Sequence, residues 1–228
     1  PMIAVHEHNE RQICDSLLDR VENGESIALI SDAGTPLLSD PGYFLVNQAR
    51  EREIDVVPVP GVSAVITALS VAGLPTDRFI FEGFLPAKSS ARLQKLEKLK
   101  DEQRTIIFYE APHRIVEMLL DCRQIFGGQR KVVVARELTK TFETVHGDAL
   151  ESLIPWIEAD ENQRKGEFVV LIQGAEAKDN KDVERESERI LLILLEDLPV
   201  KQAAALAASI TGLKKNALYQ YALKLKDK

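Results

Sequence analysis

Two short turns carry residue types that let a backbone come close to a small molecule. Ser31-Asp32-Ala33-Gly34-Thr35-Pro36 follows the apolar run Ser26 to Ile30, and Val59-Pro60-Gly61-Val62-Ser63-Ala64 closes a second run, Ile54 to Val59. Gly34 allows close approach of the main chain, and Asp32 can accept hydrogen bonds from a ligand hydroxyl or amine. If both runs are strands of one open α/β sheet, the turns lie beyond their carboxyl ends, where such sheets hold ligands. Each turn alone is explained by Gly and Pro setting backbone angles. Two on one edge favour a small-molecule pocket.

Farther along, Glu110, His113, Lys140, Glu143 and Glu167 offer groups that could move a proton. Arg114 and Arg136 offer planar guanidinium groups suited to phosphate. Plainer roles compete with these. His113 follows Pro112 at an expected helix start and could cap or pack, and Lys140 with Glu143 could pair on the surface. Glu167 stands just before an apolar strand, which makes a purely solvated role harder to sustain. No Walker loop, HExxH or CxxC pair occurs. The doublet His6 and His8 has no further ligand nearby in sequence, so no metal site is expected.

These residues need a scaffold, and the hydrophobic pattern supplies one. Helical spacing over 9–22, the strand-like run at 26–30, a helix over 40–53, the strand-like run at 54–59 and a small-residue helix over 63–72 read as an α/β domain with a parallel sheet. Gly73-Leu74-Pro75-Thr76 interrupts the pattern, giving domains at 1–76 and 77–176. The second half reads as strands at 79–84, 105–109, 131–135 and 167–173, with helices over 89–100, from about 115 to 126, and over 148–159. Its shorter, varied connections point to antiparallel pairing. A charged, linker-like stretch from Asp179 leads into a helical extension at 183–228, where Ala208, Gly212 and Leu218 keep helix-turn-helix spacing or that of a plain helical hairpin.

A chain of 228 residues, 45% hydrophobic, can bury one or two cores without disulfides. Cys14 and Cys122 are far apart in sequence, which fits a reducing compartment. The longest apolar run, Ile190 to Leu195, is too short to span a bilayer, and no basic-then-apolar leader opens the sequence. A soluble, cytoplasmic protein is expected. The net charge of −7 argues against a chain-wide nucleic-acid coat. Residues 198–228 nevertheless hold six lysines, Lys214 and Lys215 among them, against the single acid Asp227: a local +5 that leaves −12 on residues 1–197. An acidic body with a basic end suits local contact with RNA, although a solvated lysine-rich helix end explains it as well.

Longer motifs occur in a fixed order. They are Ser31 to Pro36 with Ser39-Asp40-Pro41-Gly42, Pro58 to Gly61, Gly73 to Phe79, Glu82 to Pro86, Phe108 to Arg114, Ala135 to Lys140, and Arg164 to Glu167. This series resembles the S-adenosylmethionine-dependent methyltransferases of the tetrapyrrole-methylase superfamily, in the branch acting on small-subunit ribosomal RNA. The resemblance is strong over residues 5–175 and looser in the helical end. It implies a two-domain α/β architecture with a helix-turn-helix-like C-terminal extension, a homodimer, and S-adenosylmethionine held between the domains. Asp32, Ala33, Gly34 and Thr35 match the family's cofactor turn, and Gly61, Ser63 and Ala64 its second cofactor loop. Tyr109 to Pro112, and Gly166 with Glu167, fall where the second domain closes over the cofactor. The implied acceptor is the ribose 2′-hydroxyl of a cytidine in 16S RNA.

Methyl transfer from a sulfonium is an in-line displacement, so alignment is the protein's main task. A ribose hydroxyl is a weak nucleophile at neutral pH, so one of Glu110, His113 or Glu167 is expected to be essential for removing its proton. Arg114, Arg136, Lys140, Lys214 and Lys215 are the expected RNA contacts. In one respect the sequence departs from the family, which begins with a strand and a glycine-rich loop that precede the match to Pro1. The first sheet is therefore expected to be incomplete, with weak or absent cofactor binding by this chain. Two other functions compete: methylation of a small tetrapyrrole-type molecule, and a non-catalytic RNA-binding role.

Overall fold

A computed structural model describes residues 1–176 and 180–226. The chain forms two compact units, residues 1–175 and 176–228. The first unit opens with α1 (Glu10–Glu22), α2 (Tyr43–Glu51) and α3 (Ala64–Ala72). In α1, Cys14, Leu17 and Leu18 share one face and pack on Leu45 and Ala49 of α2. Glu10 is buried with them because its Oε1 accepts the Leu45 amide at 2.9 Å. That amide belongs to the first turn of α2 and has no partner inside the helix.

The sheet follows: β1 (Phe79–Phe84), α4 (Ser89–Lys98), β2 (Thr105–Glu110), α5 (Ile115–Phe126), β3 (Lys131–Arg136), β4 (Thr144–Ala149), α6 (Leu150–Ala159) and β5 (Phe168–Ile172). Spatial order is β1-β2-β5-β3-β4. β1 and β2 run parallel, while the β2–β5, β5–β3 and β3–β4 pairs are antiparallel. The antiparallel pairing expected of the second half is present. The central strands are apolar at nearly every position because both faces are covered. Ile106, Phe108, Val132, Val134, Val170 and Ile172 join one core with residues of α5 and α6. Ile107, Val133, Ala135, Val169 and Leu171 face the other way, onto Val65, Ala68 and Leu69 of α3. The small residues of α3 let it lie close to the sheet, which brings its first turn to the sheet's edge.

Two expectations fail in the first half. Among the described residues, neither 26–30 nor 54–59 takes part in a β-ladder. A strand is held by a neighbour's amides and carbonyls, and these segments have no such neighbour here. Ile54 packs partly against the α1–α2 core, but Ile30, Val57 and Val59 stay in solvent at 72, 78 and 88% exposure. Conversely, β4 was not expected, since Thr144-Val145-His146-Gly147-Asp148-Ala149 is polar and contains glycine. It is an edge strand with one paired side, so it needs no apolar run. The helix expected from Asp148 starts at Leu150 instead.

The second unit contains α7 (Asn180–Asp197), α8 (Val200–Thr211) and α9 (Lys215–Lys226). Leu191, Ala203, Ala204, Ala207, Leu218 and Ala222 form its core, and the alanines of α8 permit tight helix contacts. A turn through Gly212 joins α8 to α9. Lys201, Lys214 and Lys215 are exposed. Asp179, Asp227 and Lys228 lie outside the described residues, as do the side chains of Lys224 and Lys226. No helix among the described residues is long and apolar enough to cross a membrane.

Candidate active site

The ends of β1, β2 and β3 and the start of β5 meet at one edge of the sheet. Opposite them stand the turn after residue 31 and Ser63, the residue that caps α3. Between these walls lies a cleft of about 370 Å³. Ala33, Gly34, Thr35 and Ser63 line one side, and Phe84, Tyr109, Glu110 and Glu167 line the other. The two turns read from the sequence are joined directly, because Thr35 Oγ1 donates to the Val62 carbonyl at 2.9 Å. Gly34 has φ of +74°, and a Cβ there would meet no atom within 4 Å, so the glycine serves backbone geometry beside open space.

The sheet side is aromatic. Tyr109 meets Phe81 edge-on at 4.8 Å and Phe84 at 5.7 Å between ring centroids. Burial pushes the Tyr109 phenol above its usual value, against a hydrogen bond with the backbone of Val65 that holds it down; nearby Asp40 raises it further. Its hydroxyl therefore stays protonated at neutral pH.

Of the three carboxylates that line the cleft, Asp40, Glu110 and Glu167, the two glutamates differ in setting. The Glu110 side chain is fully enclosed. Its Oε1 accepts the Ala111 amide at 2.8 Å, and its Oε2 lies 3.3 Å from Arg114 Nη2. Burial raises the Glu110 pKa, opposed by the Ala111 amide and by the charges of Arg114, Arg92 and His113. Glu167 is open to solvent, and its Oε2 accepts Lys140 Nζ at 2.8 Å. The same ammonium reaches Glu137 Oε1 at 2.9 Å. Glu167 and then Glu137 raise the Lys140 pKa, so Lys140 is a fixed cation beside the cleft and not a base.

A pH test follows for Glu110. Its native pKa is raised above the unfolded value, so its contribution to stability is full below the unfolded pKa. That contribution is lost as pH rises through the native value. We expect Glu110→Gln to flatten the decline in Tm as pH rises above the ordinary carboxylate range. Parallel Tm profiles for the variant and the parent protein would contradict this.

Several expected site residues are placed elsewhere. Asp32, Gly61 and Ala64 flank the cleft in sequence without lining it. His113 is exposed and does not line the cleft, although its neighbour Pro112 does. Arg114 is spent on Glu110 and on the Leu85 carbonyl. Arg136 is 7% exposed, and its guanidinium donates to the Lys165 and Phe142 carbonyls and to Thr144 Oγ1. Arg136 is thus committed to three protein oxygens, whereas Arg114 pairs with Glu110 and keeps part of its side chain exposed. Gly166 also lies outside the lining; its φ is +93°, and a Cβ would overlap Glu137 Cγ. Its role is to admit Glu137, which accepts the Glu167 amide at 2.9 Å.

The sequence reading missed Glu137, Leu138, Ser39 and Asp40. Ser39 and Asp40 stand in a quoted motif and line the cleft. Glu137 stands in the quoted run Ala135 to Lys140, but its part shows only in tertiary structure, where its backbone takes φ of +50°, unusual for a non-glycine residue.

Residues 2–154 match the family model of Tetrapyrrole (Corrin/Porphyrin) Methylases. The chain belongs to that family. Several similar proteins share one name. Ribosomal RNA small subunit methyltransferase I of Pseudomonas aeruginosa is 55% identical over 229 residues, covering 100% of this chain and 81% of that protein. The Vibrio cholerae protein of the same name is 56% identical, covering 96% and 76%, and the Escherichia coli O157:H7 one is 53% identical, covering 97% and 77%. Residues 181–226 match the RsmI C-terminal HTH domain, in agreement with the α8–turn–α9 arrangement. Among solved structures, the methyltransferase CobJ aligns with a TM-score of 0.55 at 17% identity, over 78% of this chain and 76% of that one. Diphthine synthase aligns with a TM-score of 0.55 at 14% identity, over 75% and 68%. Both share the fold.

The methyl donor of this family, S-adenosylmethionine, fits the residues present. The cleft volume lies in the range of small-molecule sites. Backbone at Ala33 to Thr35 and at Ser63 can be approached closely, the rings of Phe84 and Tyr109 suit a flat base or a cation, and Asp40 and Glu167 supply opposite charge.

Proposed function

We propose that the chain transfers a methyl group from S-adenosylmethionine to the ribose 2′-hydroxyl of a cytidine in small-subunit ribosomal RNA. The observation that carries this reading is 53–56% identity, over nearly the whole chain, to proteins named ribosomal RNA small subunit methyltransferase I. The cleft lies within the compact unit 1–175, between the turn after residue 31 with Ser63 and the strand ends of the sheet, and in this reading the basic extension at 183–228 contacts RNA through Lys214 and Lys215.

The donor, when bound, supplies a methyl group on a positively charged sulfur. Ala33 to Thr35 and Ser63 hold it on one side, and Tyr109 and Phe84 close the other. Glu167 accepts the proton of the acceptor hydroxyl, and Lys140 fixes the Glu167 carboxylate. Glu110 holds the turn at Ala111 in place and takes no proton from substrate. We place the enzyme in the cytoplasm as a homodimer; the exposed Ile30, Val57 and Val59 supply apolar surface of the kind subunit contacts cover.

The test is transfer of labelled methyl from S-adenosylmethionine to small subunits lacking the modification. Ribose-methylated cytidine in 16S RNA is the expected product. The doubly reversed variant Lys214→Glu, Lys215→Glu is expected to raise KM for subunits by roughly tenfold and leave donor binding unchanged, because each lost phosphate contact weakens binding without touching the cleft. Label in a small tetrapyrrole and none in RNA would overturn the reading, as would RNA binding with no transfer at all.

A further inference from the structure

We propose that Phe142 is a stacking platform for an unpaired RNA base flanking the nucleotide whose ribose enters the cleft. This rests on the ribosomal RNA reading above and adds a substrate-binding residue to it. Phe142 lies in the connection between β3 and β4, and its side chain is 70% exposed. An exposed ring alone is ordinary, but its support here is not.

The connection is held from several directions. The enclosed Arg136 donates to the Phe142 carbonyl at 2.9 Å. The Thr139 amide donates to Glu143 Oε2 at 2.6 Å, and the Glu143 amide to the Lys140 carbonyl at 3.2 Å. The Glu137 amide donates to the Glu167 carbonyl at 3.0 Å, which anchors the loop to β5. Glu137 and Thr139 both adopt positive φ, at +50° and +65°. Non-glycine residues in that region carry strain that the surroundings must overcome, and such strain gathers at functional sites. The loop is thus fixed, and it offers an aromatic face to solvent.

The same loop reaches the cleft. Leu138 lines it, and Lys140 binds the cleft residue Glu167. Charge decides what kind of RNA contact the loop can make. Glu137 and Glu167 pair with Lys140, Arg136 is enclosed, and Glu143 adds a further negative charge to the loop, so a phosphate is not favoured here. A base is uncharged and presents a flat face to any aromatic ring, and single-stranded RNA is commonly held in that way.

The experiment measures methylation of small subunits by the full chain carrying Phe142→Ala, Phe142→Leu, Phe142→Trp or no substitution, with donor binding and sedimentation recorded for each. The Ala and Leu variants are expected to raise KM for subunits by roughly 5- to 100-fold. Trp is expected to restore the parent value, and kcat, donor affinity and sedimentation are expected to stay constant. A Leu variant equal to the parent would overturn the proposal, since leucine keeps the apolar bulk and lacks the flat ring. A changed sedimentation coefficient for Phe142→Ala would overturn it in favour of a contact between copies of the chain. An active parent with an unchanged Ala variant sinks only this proposal; an inactive parent sinks the ribosomal RNA reading and this proposal with it.

Discussion

Replacing Glu167 with glutamine is expected to lower kcat for methyl transfer by roughly 100-fold or more, the usual scale of general-base catalysis. Glutamine keeps the size of the side chain and can still accept a hydrogen bond from Lys140 through its amide oxygen. It cannot take a proton. Because Glu167 is exposed and no core residue rests on it, Tm should change little, and KM for the RNA should stay close to the parent value. His113→Ala, by contrast, should leave kcat nearly intact, since that residue is exposed outside the cleft. A full-speed Glu167→Gln enzyme would remove the carboxylate from the mechanism. A larger loss for His113→Ala than for Glu167→Gln would show that the acceptor lies elsewhere.

The largest loss of stability is expected from Gly174→Ala. Just beyond β5 the chain crosses close to residues 102–104, where the Ala175 amide donates to the Glu102 carbonyl at 2.6 Å. A Cβ on residue 174 would overlap the Gln103 carbonyl group and lie 2.8 Å from the Arg104 oxygen. These obstructing atoms are backbone, so no side-chain rotation relieves them. Overpacking of this kind costs about 3 kcal/mol, or a fall in Tm of roughly 10 °C for a domain of this size. Gly61→Ala makes a useful control: its φ is not positive, and the nearest atom its Cβ would meet is the Val59 carbonyl oxygen at 4.0 Å. Thermal melts of the two variants and the parent separate the effects. Equal, small losses would mean that the 102–104 segment shifts freely.

Gly174 also shows where sequence reading stops. Nothing in Ile172-Gln173-Gly174-Ala175 announces that another segment lies against it. The core strands 105–110, 131–136 and 168–172 were legible because burial on both faces demands unbroken apolar runs. The same rule misled at 26–30 and 54–59, whose runs look like buried strands but have no pairing partner here. The two turns beside the cleft were legible as glycine- and proline-containing stops after such runs. The Glu137–Lys140–Glu167 arrangement was legible only as separate charges. It depends on two positive-φ residues and on the space left by Gly166, features set by tertiary contact and not by local pattern. Arg136 was misread for a related reason: a guanidinium that suits phosphate also suits three protein oxygens.

The central claim is that the cleft between Ala33–Thr35, Ser63 and Tyr109 holds the methyl donor. Calorimetric titration of S-adenosylmethionine into the parent chain and into Ala33→Trp tests it most directly, because Ala33 is exposed and lines the cleft, so a large side chain there fills the space without disturbing a core. Saturable one-to-one binding by the parent, abolished in the variant at unchanged Tm, is the predicted result. Binding that survives Ala33→Trp at full strength would contradict the account.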